Sequence, residues 1–373
     1  MTARSKKICI ISPSAYPLIA DLPDCGLSGG AEIQLVTLGF AFLKKGFSVD
    51  FVVSMTGTPT FENIKGVGVY RAPLKHLGMS NMHIFADILR FIRMLSVVNA
   101  DIYLIKLPRH MLMPLGIFSK LFRKKVIFIG QVDADANKSK LKYTDSRIAS
   151  FMYSFGLFCT NAIVAQTEMQ KAGFMRRFKG DVRAIRNILT MDGEGAEQKD
   201  NYILWVGNSG KHKQPELFLA LAAALPELRF RMIMSLSSQR PDDSFIRDEL
   251  DNIPNLEYLG AVQFSEMSNH YKKASLLVST SYSEGFPNVF LQAWQFETPT
   301  VSLTIDPDDV IKRFKLGVLS GTFDRLVEDV RDLMGNEELR REMGMNANKY
   351  AITSHSEESV VKQYTELFNS LCP

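Results

Sequence analysis

A short apolar run at residues 7–12 (KICIIS) is too brief for a helix and predicts a buried first strand. A polar loop with two prolines follows, and then Gly29-Gly30-Ala31-Glu32 opens a new pattern. From there Leu35, Leu38, Phe42 and Leu43 recur at helical spacing, and Gly46 ends the helix they predict. Residues 47–53 are apolar again and predict a second strand. Strand, glycine turn, helix and strand make a βαβ unit, hence a parallel sheet. The alternation continues with helices at 86–98, 114–122, 147–158 and 167–178, and strands at 102–105, 125–130 and 162–165. The polar, glycine-containing stretch 190–200 predicts a linker. Beyond it strands are expected at 202–206, 230–234, 256–259, 276–280 and 301–303, with helices at 215–224, 265–273, 337–351 and 356–370. The pattern therefore predicts two doubly wound α/β domains, at 1–189 and 190–353, with a cleft at the carboxyl ends of the two parallel sheets.

Two loops of the second half carry the chemistry. At 281–301 (SYSEGFPNVFLQAWQFETPTV) a loop feeds a short helix, expected at 289–296 with Asn288 as its cap. The first N–H groups of such a helix and its positive dipole end suit a phosphate. Glu284 repels phosphate, so the pair fits a ligand with one anionic end and one hydroxyl-bearing end, such as a nucleotide-sugar. At 206–217 a strand ends at Val206-Gly207, and Asn208, Lys211, His212 and Lys213 follow before Pro215-Glu216-Leu217. Lysines on flexible stems there reach a phosphate as point charges. As local structure alone, these stretches are also ordinary turns, and so is Gly29-Gly30, where a phosphate could approach backbone lacking Cβ.

Glu284, Gly285, Phe286, Pro287 and Asn288, then Gln292 eight positions after Glu284, then Thr298-Pro299, resemble the E-x7-E segment of glycosyltransferase family 4. The resemblance extends to the Val206–Leu217 loop and to Gly29-Gly30-Ala31-Glu32, and is loose elsewhere. It implies a GT-B fold, with two Rossmann-like doubly wound parallel-sheet domains facing across a cleft. The last helix, 354–373, would cross back to the first domain. It implies retaining sugar transfer from a nucleotide-sugar, UDP- or GDP-linked, without a cofactor or a metal. Glu284 would face the transferred sugar. Lys213, Lys211, Gly30 and the amides of Gly285, Phe286, Pro287 (which itself lacks an N–H), Asn288 and Val289 would surround the diphosphate, and Gln292 the ribose. Two positions depart from the family: Asn208 stands where an arginine is usual, and Gln292 where the second glutamate is usual. Asp133 and Glu32 are acceptor-side candidates. Asp133-Ala134-Asp135 has metal-pair spacing but reads as a solvated loop.

Composition adds partners. Residues 1–190 hold 26 Lys and Arg against 12 Asp and Glu, a balance of +14, and the remaining residues balance at −10. The basic half predicts an anionic partner. Apolar neighbours such as Leu121 and Phe122 beside Arg123, Lys124 and Lys125 favour a membrane surface and a glycan or lipid-linked acceptor over nucleic acid, for which charge is the only signal. Cys9, Cys25, Cys159 and Cys372 form no C-x-x-C, no apolar run spans a membrane, and the first residues do not read as a signal peptide. The expected location is cytoplasmic, with the inner face of the cell membrane as a docking place. Two rival readings stay open: a non-catalytic GT-B scaffold or regulator, favoured by Asn208 and Gln292, and a GT-B nucleotide-sugar epimerase.

Overall fold

The computed structural model describes residues 5–22, 29–54, 60–72, 84–106, 109–136, 147–189, 198–235, 246, 249, 250 and 252–372. Cys25, Lys138, Lys140, Lys142 and most of the expected linker lie outside them. By its contacts the chain divides into two units, Met1–Ile188 with Glu357–Pro373, and Leu189–Ser356.

The first unit is built on one sheet with strands β1 (Lys7–Ile11), β2 (Ser48–Ser54), β3 (Thr60–Ile64), β4 (Val67–Ala72), β5 (Ile102–Ile105), β6 (Lys125–Ile129), β7 (Ala162–Ala165) and β8 (Asp181–Ala184). Their order is β3-β4-β2-β1-β5-β6-β7-β8, parallel except for β3, which runs antiparallel to β4. Helices cover both faces, so the central strands are apolar at every position rather than at alternate ones. Alternation sends Ile8, Ile10, Ile102, Leu104, Ile127 and Ile129 to one face, where the helices Gly30–Lys44 and Glu357–Leu371 lie. It sends Cys9, Ile11, Tyr103, Ile105, Val126 and Phe128 to the other, under Ile84–Val98, Leu112–Leu121 and Arg147–Cys159. The last helix is integral to this unit: Val360, Val361, Tyr364, Leu367 and Phe368 are buried in its core. Phe42 meets Tyr364 and Phe368 edge-on, with ring centroids 5.4 and 5.1 Å apart.

The second unit has strands β9 (Tyr202–Asn208), β10 (Arg229–Ser235), β11 (Leu256–Tyr258), β12 (Leu276–Ser279), β13 (Thr300–Ser302) and β14 (Gly317–Leu319), all parallel, in the order β11-β10-β9-β12-β13-β14. The order reverses between β9 and β12. Such a reversal splays the following loops apart and leaves a crevice at the carboxyl ends of those two strands. The corresponding reversal in the first unit lies between β1 and β5.

Several elements were not expected, the strands β8 and β14 among them, and three others bear on the reading of the sequence. The hairpin β3–β4 turns at Lys65-Gly66, both with positive φ (53° and 88°), a two-residue turn usually announced by Asn-Gly. The helix Phe323–Gly335, capped by Thr322, completes the second unit. Asp133–Ala136 is a helical turn, not a solvated loop.

Candidate functional site

The loops after β9 and β12 are clipped together by a chain of hydrogen bonds. Trp205 Nε1 donates to Thr280 Oγ1 at 3.0 Å, and the Thr280 hydroxyl donates to the Lys213 carbonyl at 2.7 Å. Tyr282 N donates to the His212 carbonyl at 3.0 Å. Lys211–Lys213 form a single 3-10 turn, left through Gln214 in the left-handed region (φ 48°) so that Pro215 can begin the next helix. The clips bring the Lys213 ammonium onto Glu284 Oε1 as an ion pair between residues 71 apart in the chain. Their side chains are only 16% and 12% exposed, so the pair is screened far less than a surface bridge. His212 beside them is half-buried. Burial pulls its pKa below the ordinary histidine value, and Lys213 adds to this, while Glu284 pulls the other way.

Glu284 leads into Gly285-Phe286-Pro287. Phe286 is a core residue, its ring centroid 4.8 Å from His355 and 6.1 Å from Trp294. That anchor fixes the loop between β12 and the next helix. The helix runs Asn288–Gln295, with Pro287 as N-cap (φ −64°, ψ 121°) and no side-chain capping bond. Asn288 is thus the first helical residue rather than the cap, because the fixed φ of Pro287 already gives the extended cap geometry. Helical geometry leaves the first-turn N–H groups of Asn288 and Val289 without intrahelical acceptors, at the positive end of the dipole.

Gln292 is one turn further on and buried. Its Oε1 accepts from the Tyr271 hydroxyl at 2.8 Å. Tyr271 is fully enclosed, and burial pushes its phenol above the ordinary value, so it is a fixed neutral donor. Asn208 is exposed at the end of β9 and its Oδ1 accepts from Gly210 N at 3.0 Å, which shapes the turn. Lys211 is exposed on the same turn. The second unit therefore brings together Asn208, Lys211, Lys213, Glu284–Val289 and Gln292. A cation and a carboxylate meet just before a helix start, a set that can neutralise a diphosphate and hold hydroxyls.

Gly30, Glu32 and Asp133 belong to the first unit. Gly30 begins its helix, but the Glu32 carboxylate already accepts from Gly29 N at 3.0 Å. That carboxylate caps the helix start. Asp133 accepts from Gln170 Nε2 at 3.2 Å. Asp135 is wholly buried, ion-paired with Arg109, and accepts from Gln131 N (2.7 Å) and Val132 N (3.0 Å). Among the described residues no group of three or more His, Cys, Asp or Glu is placed to hold a metal.

The sequence has relatives that bear on this arrangement. Residues 189–350 match glycosyl transferases group 1. This group 1 segment covers nearly all of the second unit, including Asn208, Lys211, Lys213, Glu284–Val289 and Gln292, and none of the first-unit candidates. An α-1,4-N-acetyl-D-galactosaminyltransferase of Campylobacter jejuni, named for an undecaprenol-diphosphate-linked GalNAc acceptor, is 27% identical over 53% of the chain and 58% of that protein. A capsular polysaccharide biosynthesis glycosyltransferase of Staphylococcus aureus is 22% identical over 46% of the chain and 47% of its own length. The chain thus spans about half the length of these relatives. Solved structures align over far more. Sucrose-phosphate synthase of Thermosynechococcus elongatus superposes at TM-score 0.79 and 16% identity, covering 98% of the chain and 99% of that protein. Anabaena HepE in complex with UDP and glucose superposes at 0.73 and 14%, covering 98% and 100%. The fold is GT-B.

Proposed function

We propose that this group 1 relative is a retaining, metal-independent glycosyltransferase. It moves a sugar from a UDP- or GDP-linked donor to a glycan or lipid-linked glycan in cell-surface polysaccharide synthesis. The observation that carries the reading is the Lys213–Glu284 ion pair at the carboxyl ends of β9 and β12, where the sheet order reverses. Lys213, with Lys211 and the amides at the start of Asn288–Gln295, neutralises the diphosphate as its bond to the sugar lengthens. An arriving diphosphate gives Lys213 a second anionic partner and loosens its grip on Glu284. Glu284 then accepts from sugar hydroxyls and stabilises positive charge at the anomeric carbon. Gln292 offers its amide nitrogen to the ribose, its oxygen being held by Tyr271. The Campylobacter relative's acceptor and the UDP bound by HepE support these ligand classes.

A second reading, a scaffold with a weakened donor site, is favoured by Asn208 at the place of an arginine and by the engaged oxygen of Gln292. Thermal shift with UDP, GDP, ADP, dTDP and CMP separates the two. A nucleotide at 100 times its Kd adds about 2.7 kcal/mol, a rise of a few degrees. One nucleotide is expected to stabilise the chain, and Lys213→Ala to abolish the shift. No shift with any nucleotide at millimolar concentration would favour the scaffold.

The proposed setting is the cytoplasmic face of a membrane. Helices Ile84–Val98, Leu112–Leu121 and Arg147–Cys159 turn large apolar side chains outward, with Phe151 63%, Phe158 79% and Leu121 71% exposed. Arg90, Arg93, Lys120 and Arg123 lie exposed among them. Such a face suits the headgroup boundary of an anionic bilayer. No helix among the described residues is long and apolar enough to cross a membrane.

A further inference from the structure

Glu284 carries its charge where the loss of a partner is strongly unfavourable. Its side chain is 12% exposed, and the Lys213 ammonium is paired with it. The donor reading draws that ammonium towards a diphosphate. A carboxylate so far out of water, left without a cation, is destabilising. Sugar hydroxyls can offer hydrogen bonds in exchange, but no charge.

His212 is placed to supply one. It precedes Lys213 on the 3-10 turn Lys211–Lys213 and is half-buried. Its backbone carbonyl accepts from Tyr282 N at 3.0 Å, which ties it to the loop that carries Glu284 two residues further on. Its ring lies back against its own turn. A Cβ at Gly210 would come within 2.8 Å of His212 Cε1 and 2.9 Å of Nδ1, and within 2.8 Å of Asn208 Oδ1. Gly210 has φ −65° and ψ 136°, a conformation open to any residue. Glycine stands there for room rather than for backbone freedom, and the His212 ring takes part of that room.

Both loops act on the ring. Burial acts most strongly and holds it on the neutral side. Glu284, on the loop after β12, favours the imidazolium, and Lys213, on the same turn as the ring, opposes it. Lys211 on that turn is exposed. Drawing Lys213 away removes the opposing charge and leaves the favouring one. A second lysine at this place would repel Lys213 at all times, whereas a histidine is neutral while the lysine is present and takes a charge when it leaves.

We propose that His212 is a positioning residue for Glu284, which replaces Lys213 as the partner of the carboxylate when a diphosphate engages the lysine. The replacement rests on the donor reading above; the pairing of His212 with Glu284 does not. The imidazole takes its proton from solvent and returns it when the diphosphate leaves, and no bond of the donor forms or breaks in this step. Glu284 thereby stays ionised and held in place while the sugar is bound.

Two measurements on the full chain test this. The first needs no ligand: an NMR titration of the imidazole signals, with that of His212 identified by its loss in His212→Gln. The His212 pKa is expected to rise by about one unit in Lys213→Met and to fall in Glu284→Gln. A value that does not move in Glu284→Gln overturns the pairing. The second is the affinity for UDP by calorimetry at about pH 7.5 and about pH 6.0. A group whose pKa rises on binding makes binding tighter as the pH falls. The phosphate of UDP titrates in the same range, so the reference is His212→Gln, which keeps the backbone carbonyl that Tyr282 N needs. On lowering the pH the wild type is expected to gain at least about threefold more affinity than His212→Gln. Equal gains would show that His212 does not replace the lysine. If UDP fails to bind the wild type, the donor reading falls and the replacement with it, while the ligand-free titration still decides the pairing.

Discussion

Gln292 stands where the family resemblance leads one to look for a carboxylate, and its amide is divided between two duties. Its oxygen accepts from the enclosed Tyr271 hydroxyl, and its nitrogen is a donor where the family has a second acceptor oxygen. In Gln292→Glu one carboxylate oxygen would keep the Tyr271 bond, and the other would accept from ribose hydroxyls through charge-assisted bonds about twice as strong as neutral ones. The gain of about 1 kcal/mol predicts a five- to tenfold lower Kd for the preferred nucleotide by isothermal titration. An unchanged Kd would mean that the ribose does not lie there. At this scale the site was half legible. Lys213 and Glu284 stand out locally, as a cation beside a Gly-containing turn and a carboxylate beside helix amides. Thr280 and Tyr271 do not, because each acquires its role from a neighbour fixed by strand order rather than by sequence distance. Thr280 reads as the end of a strand until β9 and β12 are known to be adjacent.

The same distinction holds for elements. Apolar runs at the centres of both sheets read clearly as strands, because parallel strands are buried on both faces and have no polar alternation to confuse the pattern. The β3–β4 hairpin did not, since it lies at a sheet edge with half its positions polar and turns at Lys65-Gly66 without the usual turn residues. The helix Phe323–Gly335 carries a readable signal, Thr322 as cap with Leu326, Val330 and Leu333 at helical spacing, but the strand before it, Gly317–Leu319, is only three residues long. The helix Glu357–Leu371 belongs to the core of the first unit, a placement that its own periodicity does not announce. Phe368→Ala removes a fully buried ring that touches Phe42 and Phe47. It is expected to lower stability by at least about 3 kcal/mol in urea unfolding followed by fluorescence. A loss under 1 kcal/mol would show the helix to be dispensable for the first unit.

For the molecule as a whole, the uneven charge and the aromatic face reinforce one another. The surplus of +14 is carried by the part of the chain that also exposes Phe151, Phe155 and Phe158. Full-length protein is expected to sediment with vesicles containing 30 mol% phosphatidylglycerol, and less with pure phosphatidylcholine. The triple change of Phe151, Phe155 and Phe158 to Ser is expected to reduce partitioning about tenfold or more, and added salt to reduce it further. Equal behaviour of wild type and triple variant would remove the aromatic face from the argument.

The helix Glu357–Leu371 is made after the whole second unit, yet it fills the core of the first. A ribosome emits the chain from one end, so the first unit must wait, its Phe42 and Phe47 side uncovered, while Leu189–Ser356 is synthesised. The domain begun second is therefore the one able to close first. During that interval the cell holds a nascent chain with an open aromatic groove, and chaperones that shield such surfaces have their longest opportunity on the half that emerged earliest.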